Sequence, residues 1–226
     1  MQDDILNIAR EFLITYMDDK AKELNNQYEN WWSSHKYTIQ HSLRVGNYAD
    51  KIIKLEKGIK QEDIVLIRLA AILHDIGKVE TEIEHSICSA EIVKKIFIPK
   101  NRHYFSKIDD EKLIDIIKKH SDKKNRDNDI CSNILKDADI LDETGVMSIF
   151  INERKLNQNS PFYYNELLER LKTSEMSFLD KTSEILYTKT AKEILNEKKS
   201  FLEKFVLQFE EELVMSSENT ILKTFD

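Results

Sequence analysis

The most constraining stretch of this chain runs from Ile64 to Lys78. It is an apolar helix that ends in an adjacent imidazole and carboxylate. Ile64, Val65, Leu66, Ile67, Leu69, Ile72 and Leu73 place aliphatic side chains all around it, and a helix apolar on every side belongs in the middle of a domain. His74 and Asp75 then stand at its buried end, followed by Gly77 and Lys78. Burying such a pair costs several kcal/mol unless something compensates it, and the carboxyl end of a helix itself favours a cation. A divalent metal ion meets all three demands.

The rest of the chain has room for one generous core. It has 226 residues, 41% hydrophobic and 33% charged, the balance of a globular and not a disordered protein. Only four glycines and two prolines interrupt it, which predicts long helices. That scarcity also excludes the glycine-rich phosphate loops of the Walker and dinucleotide-binding types, and no nucleophile elbow is present. A net charge of -7 argues against a broad nucleic-acid surface. The two cysteines, Cys88 and Cys131, point to a reducing compartment. No apolar run approaches the ~18 residues of a membrane span, and the acidic start is not a signal peptide. The expected location is the cytoplasm, with no membrane partner.

Helical periodicity divides the chain. Residues 4–24 form an amphipathic helix with Ile5, Ile8, Phe12 and Tyr16 along one side, and Tyr28, Trp31 and Trp32 anchor the loop after it. A second helix, Tyr37 to Leu55, carries the stripe His41, Val45, Tyr48, Ala49 and Ile52, and Gly58 closes it. Beyond the central helix, residues 83–98 place His85, Cys88, Ile92 and Ile96 on one side and stop at Pro99. Ser106 is the expected cap of a helix to Ser121, with Leu113, Ile116, Ile117 and His120 inward. Residues 129–143 bury Leu135, Ala138, Asp139 and Asp142. After a helix at 146–155, Ser160-Pro161 reads as a cap followed by a first-turn proline. A last helix over 177–215 turns Ala191, Leu195, Leu202, Phe205 and Phe209 inward. With no strand-period alternation and no internal repeat, the expected fold class is all-α, in a single domain over 1–226.

The informative polar residues are those on apolar stripes. His41, His85, His120 and Asp139 each lie on the side their own helix buries, and His74 and Asp75 end the most buried helix. One core histidine is satisfied by one hydrogen bond. This whole set, converging from separate helices, is hard to satisfy by mutual hydrogen bonds, whereas imidazole and carboxylate are natural ligands for Zn, Mn, Fe and similar ions. His35 and His103 fall outside the stripes and read as surface residues. Cys88 reads as a small core residue.

The order His41, His74-Asp75, Asp139 resembles that of the HD-domain metal-dependent phosphohydrolases. The strings Gln40-His41-Ser42-Leu43-Arg44-Val45, Leu73-His74-Asp75-Ile76-Gly77-Lys78 and Asp137-Ala138-Asp139-Ile140-Leu141-Asp142 carry the likeness. Thr188-Lys189-Thr190-Ala191-Lys192 is similar to the carboxyl-terminal helix of uncharacterised bacterial members. The resemblance implies an amino-terminal helix over 1–30, an HD metal-binding helical bundle over 31–150 and a helical extension over 151–226. It also implies one metal held by His41, His74, Asp75 and Asp139. His85 and His120 fall in the order of members that hold a second metal, with Asp75 bridging, as in the HD hydrolases of diadenosine tetraphosphate. The His-Asp-x-x-Glu-Asp string of the stringent-nucleotide hydrolases is absent.

The implied activity is hydrolysis of a small phosphorylated compound, a nucleotide or dinucleotide, with one or two divalent ions among Mn, Fe, Co, Ni, Zn and Mg lowering the pKa of a water. Asp75 takes part directly, Lys78 and Arg44 are expected to face phosphate oxygens, and Glu84 or Asp142 is the candidate acid for the leaving oxygen. The basic run from Lys118 to Arg126 flanks His120 and is placed to attract an anion. Two other readings use the same residues: an HD-fold di-iron oxygenase, and a metal-binding regulatory module without turnover.

Overall fold

The computed structural model describes residues 2–28, 30–126 and 128–218, and every regular element among them is helical. Contacts sort the chain into two compact units, one of 1–142 with 187–190, the other of 143–186 with the chain from 191 onwards. No helix among the described residues is long and apolar enough to cross a membrane.

The first unit contains α1 (Gln2–Glu23), α2 (His35–Leu55), α3 (Gln61–Leu73), α4 (His85–Ile92), α5 (Asp110–Lys119) and α6 (Ile130–Asp142). α3 is the hub, as its composition requires: α1, α2, α5 and α6 all pack against it. α1 turns a different side inward from the expected one. Ile5, Leu6, Ala9, Leu13, Met17 and Ala21 are buried, while Ile8, Phe12 and Tyr16 lie half-buried beside them. On α2, His41, Val45, Ala49 and Ile52 are buried as the stripe demands, and Tyr48 sits at its margin. From Cys131 to Asp142 every residue of α6 is buried, so its polar side chains must find partners inside the protein.

Local signals misplace several boundaries. Asp109, not Ser106, caps α5, its carboxylate accepting from Lys112 N at 2.9 Å. Pro99 does not stop the α4 region. A π-helical turn over Val93–Phe97 precedes it, and helical backbone continues through the proline to Lys100. His35, expected on the surface, is mostly covered and bonds Asp18 at 2.7 Å and Tyr28 at 3.0 Å.

The second unit contains α7 (Val146–Glu153), α8 (Tyr163–Arg170), a π-helical turn (Leu171–Glu175), α9 (Met176–Ile185) and most of α10 (Lys189–Glu218). Ser160-Pro161 forms a turn ahead of α8 and does not cap it. The expected helix over 177–215 is broken at Leu186. There the buried carboxylate of Asp137 accepts from Tyr187 N, Thr188 N and Thr188 Oγ1 at 3.1, 2.8 and 2.8 Å, and Arg126 reaches it at 3.1 Å. Those bonds satisfy backbone donors that continued helix would otherwise have used.

Candidate metal centre

The site assembles at the ends of helices. His74 caps the carboxyl end of α3, Asp75 follows it, His41 comes from the middle of α2, His85 opens α4, His120 caps α5 and Asp139 lies in α6. Gly77 makes this convergence possible. A Cβ there would lie 2.6 Å from Ser89 N and 2.7 Å from His85 O, so only glycine lets α4 approach the Asp75 turn. Gly77 N also donates to Ser89 Oγ at 2.9 Å.

Every histidine of the set is oriented alike. Nδ1 lies beside a group that can only accept: Asp142 Oδ2 for His41 (2.8 Å), Ala71 O for His74 (3.0 Å), Glu82 O for His85 (3.1 Å) and Ile117 O for His120 (2.6 Å). Nδ1 therefore carries a proton, and in each ring that is neutral Nε2 presents its lone pair to the interior. The Nε2 atoms meet the carboxylates in the middle. Asp75 Oδ2 lies 3.3 Å from His41 and 3.4 Å from His74, while Oδ1 lies 3.4 Å from His85 and 3.2 Å from His120. Asp139 Oδ1 is 3.2 Å from His41 Nε2. Such bracing of a ligand's far nitrogen is the usual outer layer of a metal site.

Three overlapping groups are tight enough to share an ion: His41, His74 and Asp75; His74, His120 and Asp139; and Asp75, His85 and His120, each with ligand atoms within 4.8 Å of one another. The residues fit a metal on the protein's own evidence. His74 Nε2 is buried without a hydrogen-bond partner, its lone pair aimed at the Asp75 and Asp139 carboxylates, an arrangement that costs free energy unless a cation sits between them.

The electrostatics agree. Burial pushes His120 down to about 3, against the pull of Asp75, and lowers His74 and His85 too, so all three stay neutral. His41 is the exception: burial lowers it, but Asp142 and Asp75 outweigh that and lift it to about 9. Burial works to raise Asp75, yet the surrounding imidazoles hold it well below the usual carboxylate range.

Some expected roles change. Asp142 is not placed to donate a proton to a leaving group: it is 1% exposed, and its oxygens accept from His41 Nδ1 and, at 2.7 and 2.9 Å, from Arg44 Nε and Nη2. Arg44 accordingly braces Asp142 and covers the Tyr37 ring at 5.7 Å instead of facing the site. Glu84 is exposed, in left-handed backbone conformation at the start of α4. Lys78 Nζ lies 2.6 Å from Asp75 Oδ2. Lys123 bonds Asp139 and was not singled out by sequence. The only signal for it was its membership of the basic run beside His120. An open groove of about 640 Å³ reaches His85 between Glu84, Ser86, Lys118 and Asp122.

With this geometry in view, comparison with known proteins is informative. Residues 38–144 match the HD domain family. An uncharacterised protein of Methanocaldococcus jannaschii is 34% identical over 86 residues, covering 34% of this chain. The chain spans about half (51%) of that relative's length. Among solved structures, a predicted HD superfamily hydrolase from an uncultured Thermotogales bacterium is similar at TM-score 0.54 and 22% identity, over 93% of this chain and 92% of its own. The Lin1889 protein of Listeria innocua is similar at TM-score 0.55 and 23% identity, over 94% and 97%. At such identities the two structures speak for the fold alone.

Proposed function

We propose that this chain, whose residues 38–144 match the HD domain family, is a metal-dependent phosphohydrolase. Its substrate is a small phosphorylated compound, a nucleotide or dinucleotide, cleaved at a phosphoester or phosphoanhydride bond. The observation that carries this reading is the common orientation of four imidazoles, Nδ1 committed to an acceptor and Nε2 turned to Asp75 or Asp139.

His41, His74, Asp75 and Asp139 would hold one ion, and Asp75, His85 and His120 a second. Bound divalent ions supply Lewis acidity toward a water and toward phosphoryl oxygens, and this imidazole-rich set suits Mn, Fe, Co, Ni or Zn better than Mg. The chain's own residues do the remaining work. The acceptors behind Nδ1 fix each ring in its tautomer. Lys78 and Lys123 bring ammonium groups beside Asp75 and Asp139, where they turn to phosphoryl oxygens when substrate arrives. Glu84 stands at the groove beside His85 and is the carboxyl left to protonate a leaving oxygen. The groove volume supports a substrate of nucleotide size.

Protein loaded in turn with Mn, Co and Fe is expected to release phosphate or nucleoside phosphate from a panel of phosphoesters and anhydrides. The variant His74→Ala with Asp75→Ala should lose both bound metal and turnover. No cleavage across the panel would overturn the reading in favour of a binding module, and substrate-dependent oxygen uptake by the iron-loaded protein would favour an oxygenase.

A further inference from the structure

The second unit contains a cavity of about 270 Å³ that the hydrolytic reading leaves without a role. Its buried walls are Asn152, 3% exposed, and Glu175, 6% exposed. Glu175 Oε2 accepts from Asn152 Nδ2 at 2.8 Å, but Oε1 is buried and has no hydrogen-bond partner among the described residues. A buried carboxylate oxygen left in this way is costly, and native structures rarely keep one without a use.

The surroundings hold Glu175 in place. Asn152 Nδ2 also donates to Ser148 O at 2.9 Å, and Asn152 Oδ1 accepts from Arg170 Nε at 3.1 Å. Arg170, Asn152 and Glu175 thus form one hydrogen-bonded line along the cavity. Glu175 also ends the π-helical turn Leu171–Glu175. Such a turn inserts a residue into a helix and shifts its side chains out of register, a device common at functional sites. Toward solvent the lining includes Lys155 and Phe178, the latter 44% exposed.

We infer that this cavity binds a small zwitterion, with an N–H donor group of ammonium or amidine type on Glu175 Oε1 and a carboxylate or phosphate on Arg170 and Lys155. A purely anionic guest would leave Glu175 unsatisfied, and a purely cationic one would meet the three cations of the lining, Arg154, Lys155 and Arg170. The volume admits a molecule the size of an amino acid or a mononucleotide.

The site is independent of the metal centre, and so is its test. Calorimetric titration of the full chain, metal-free and metal-loaded, would use L-arginine and L-lysine, with inorganic phosphate and guanidinium chloride as single-charge probes. One zwitterion should bind more tightly than either single-charge probe, and which one identifies the source of the shared chemistry. Glu175→Gln should weaken that binding about tenfold or more. The exposed substitutions Lys155→Gln and Phe178→Ala should weaken it less while leaving the melting temperature unchanged, so they decide the matter if Glu175→Gln fails to fold. No binding by any zwitterion, binding that these variants leave unchanged, or equal binding of inorganic phosphate alone would overturn the inference.

Discussion

The two halves of the histidine cluster are built from different materials. His41 and His74 come from the long buried helices α2 and α3, and the ring of His41 is braced by a carboxylate, Asp142, that Arg44 holds with two bonds. His85 and His120 stand at the ends of the shorter helices α4 and α5 and are braced only by backbone carbonyls. The His85 side chain is 21% exposed, beside the groove, whereas that of His74 is 0% exposed. The inner pair, His41 and His74, is therefore closed off in the core, and the outer pair reaches the groove through His85. Carboxylate bracing also makes an imidazole a stronger ligand than carbonyl bracing does, which adds to the difference.

Three measurements sharpen or break that contrast. The largest effect belongs to the residue shared by both halves. Asp75→Asn should lower turnover about a thousandfold or more and empty both positions by metal analysis, and retention of one full equivalent would show that the halves do not share it. The next effect separates them. Asp142→Asn should weaken the inner ion about ten- to a hundredfold, and should cost about 1–3 kcal/mol of stability, less than a wholly buried pair because Arg44 is 28% exposed. His85→Gln should remove the outer ion alone with little loss of stability, as read by metal content and thermal melting. If Asp142→Asn empties the outer position first, the comparison fails.

The smallest effect is in the pH dependence of the metal-free protein. An unfolded histidine takes its proton near 6.5, but folded His120 refuses it until about 3, and His85 is also lowered. Their contribution to stability is complete above about 6.5 and declines as pH falls. His41, raised to about 9, behaves oppositely: its contribution is complete below about 6.5 and is lost as pH rises toward 9. Chemical denaturation across pH should show His120→Gln flattening the acid limb and His41→Gln the alkaline one. Identical slopes in all three proteins would refute the assignment.

The ligands were legible because each lies at a helical position that period 3.6 marks as buried, and an ionisable group there needs a reason. The outer layer was not. Nothing local distinguishes Asp142 the brace from Asp142 the acid, since its role depends on His41 and Arg44, about a hundred residues away in sequence. Lys123 was hidden for the same reason, inside a run of like charges of which one member folds back onto Asp139. The break at Leu186 lies in a segment with good helical pattern, and only Asp137, fifty residues earlier, reveals it.

By itself the sequence determined the all-α class, the central apolar helix and the set of imidazoles and carboxylates it must accommodate, because hydrophobic periodicity and the cost of buried charge act locally along the chain. Tertiary structure alone decided which carboxylates meet the inward imidazole nitrogens and which braces His41 from behind, which nitrogen of each ring faces inward, and how closely α4 approaches the Asp75 turn through Gly77. Those outcomes depend on hydrogen bonds and steric contacts between segments far apart in the chain, and they exist only once the helices have packed.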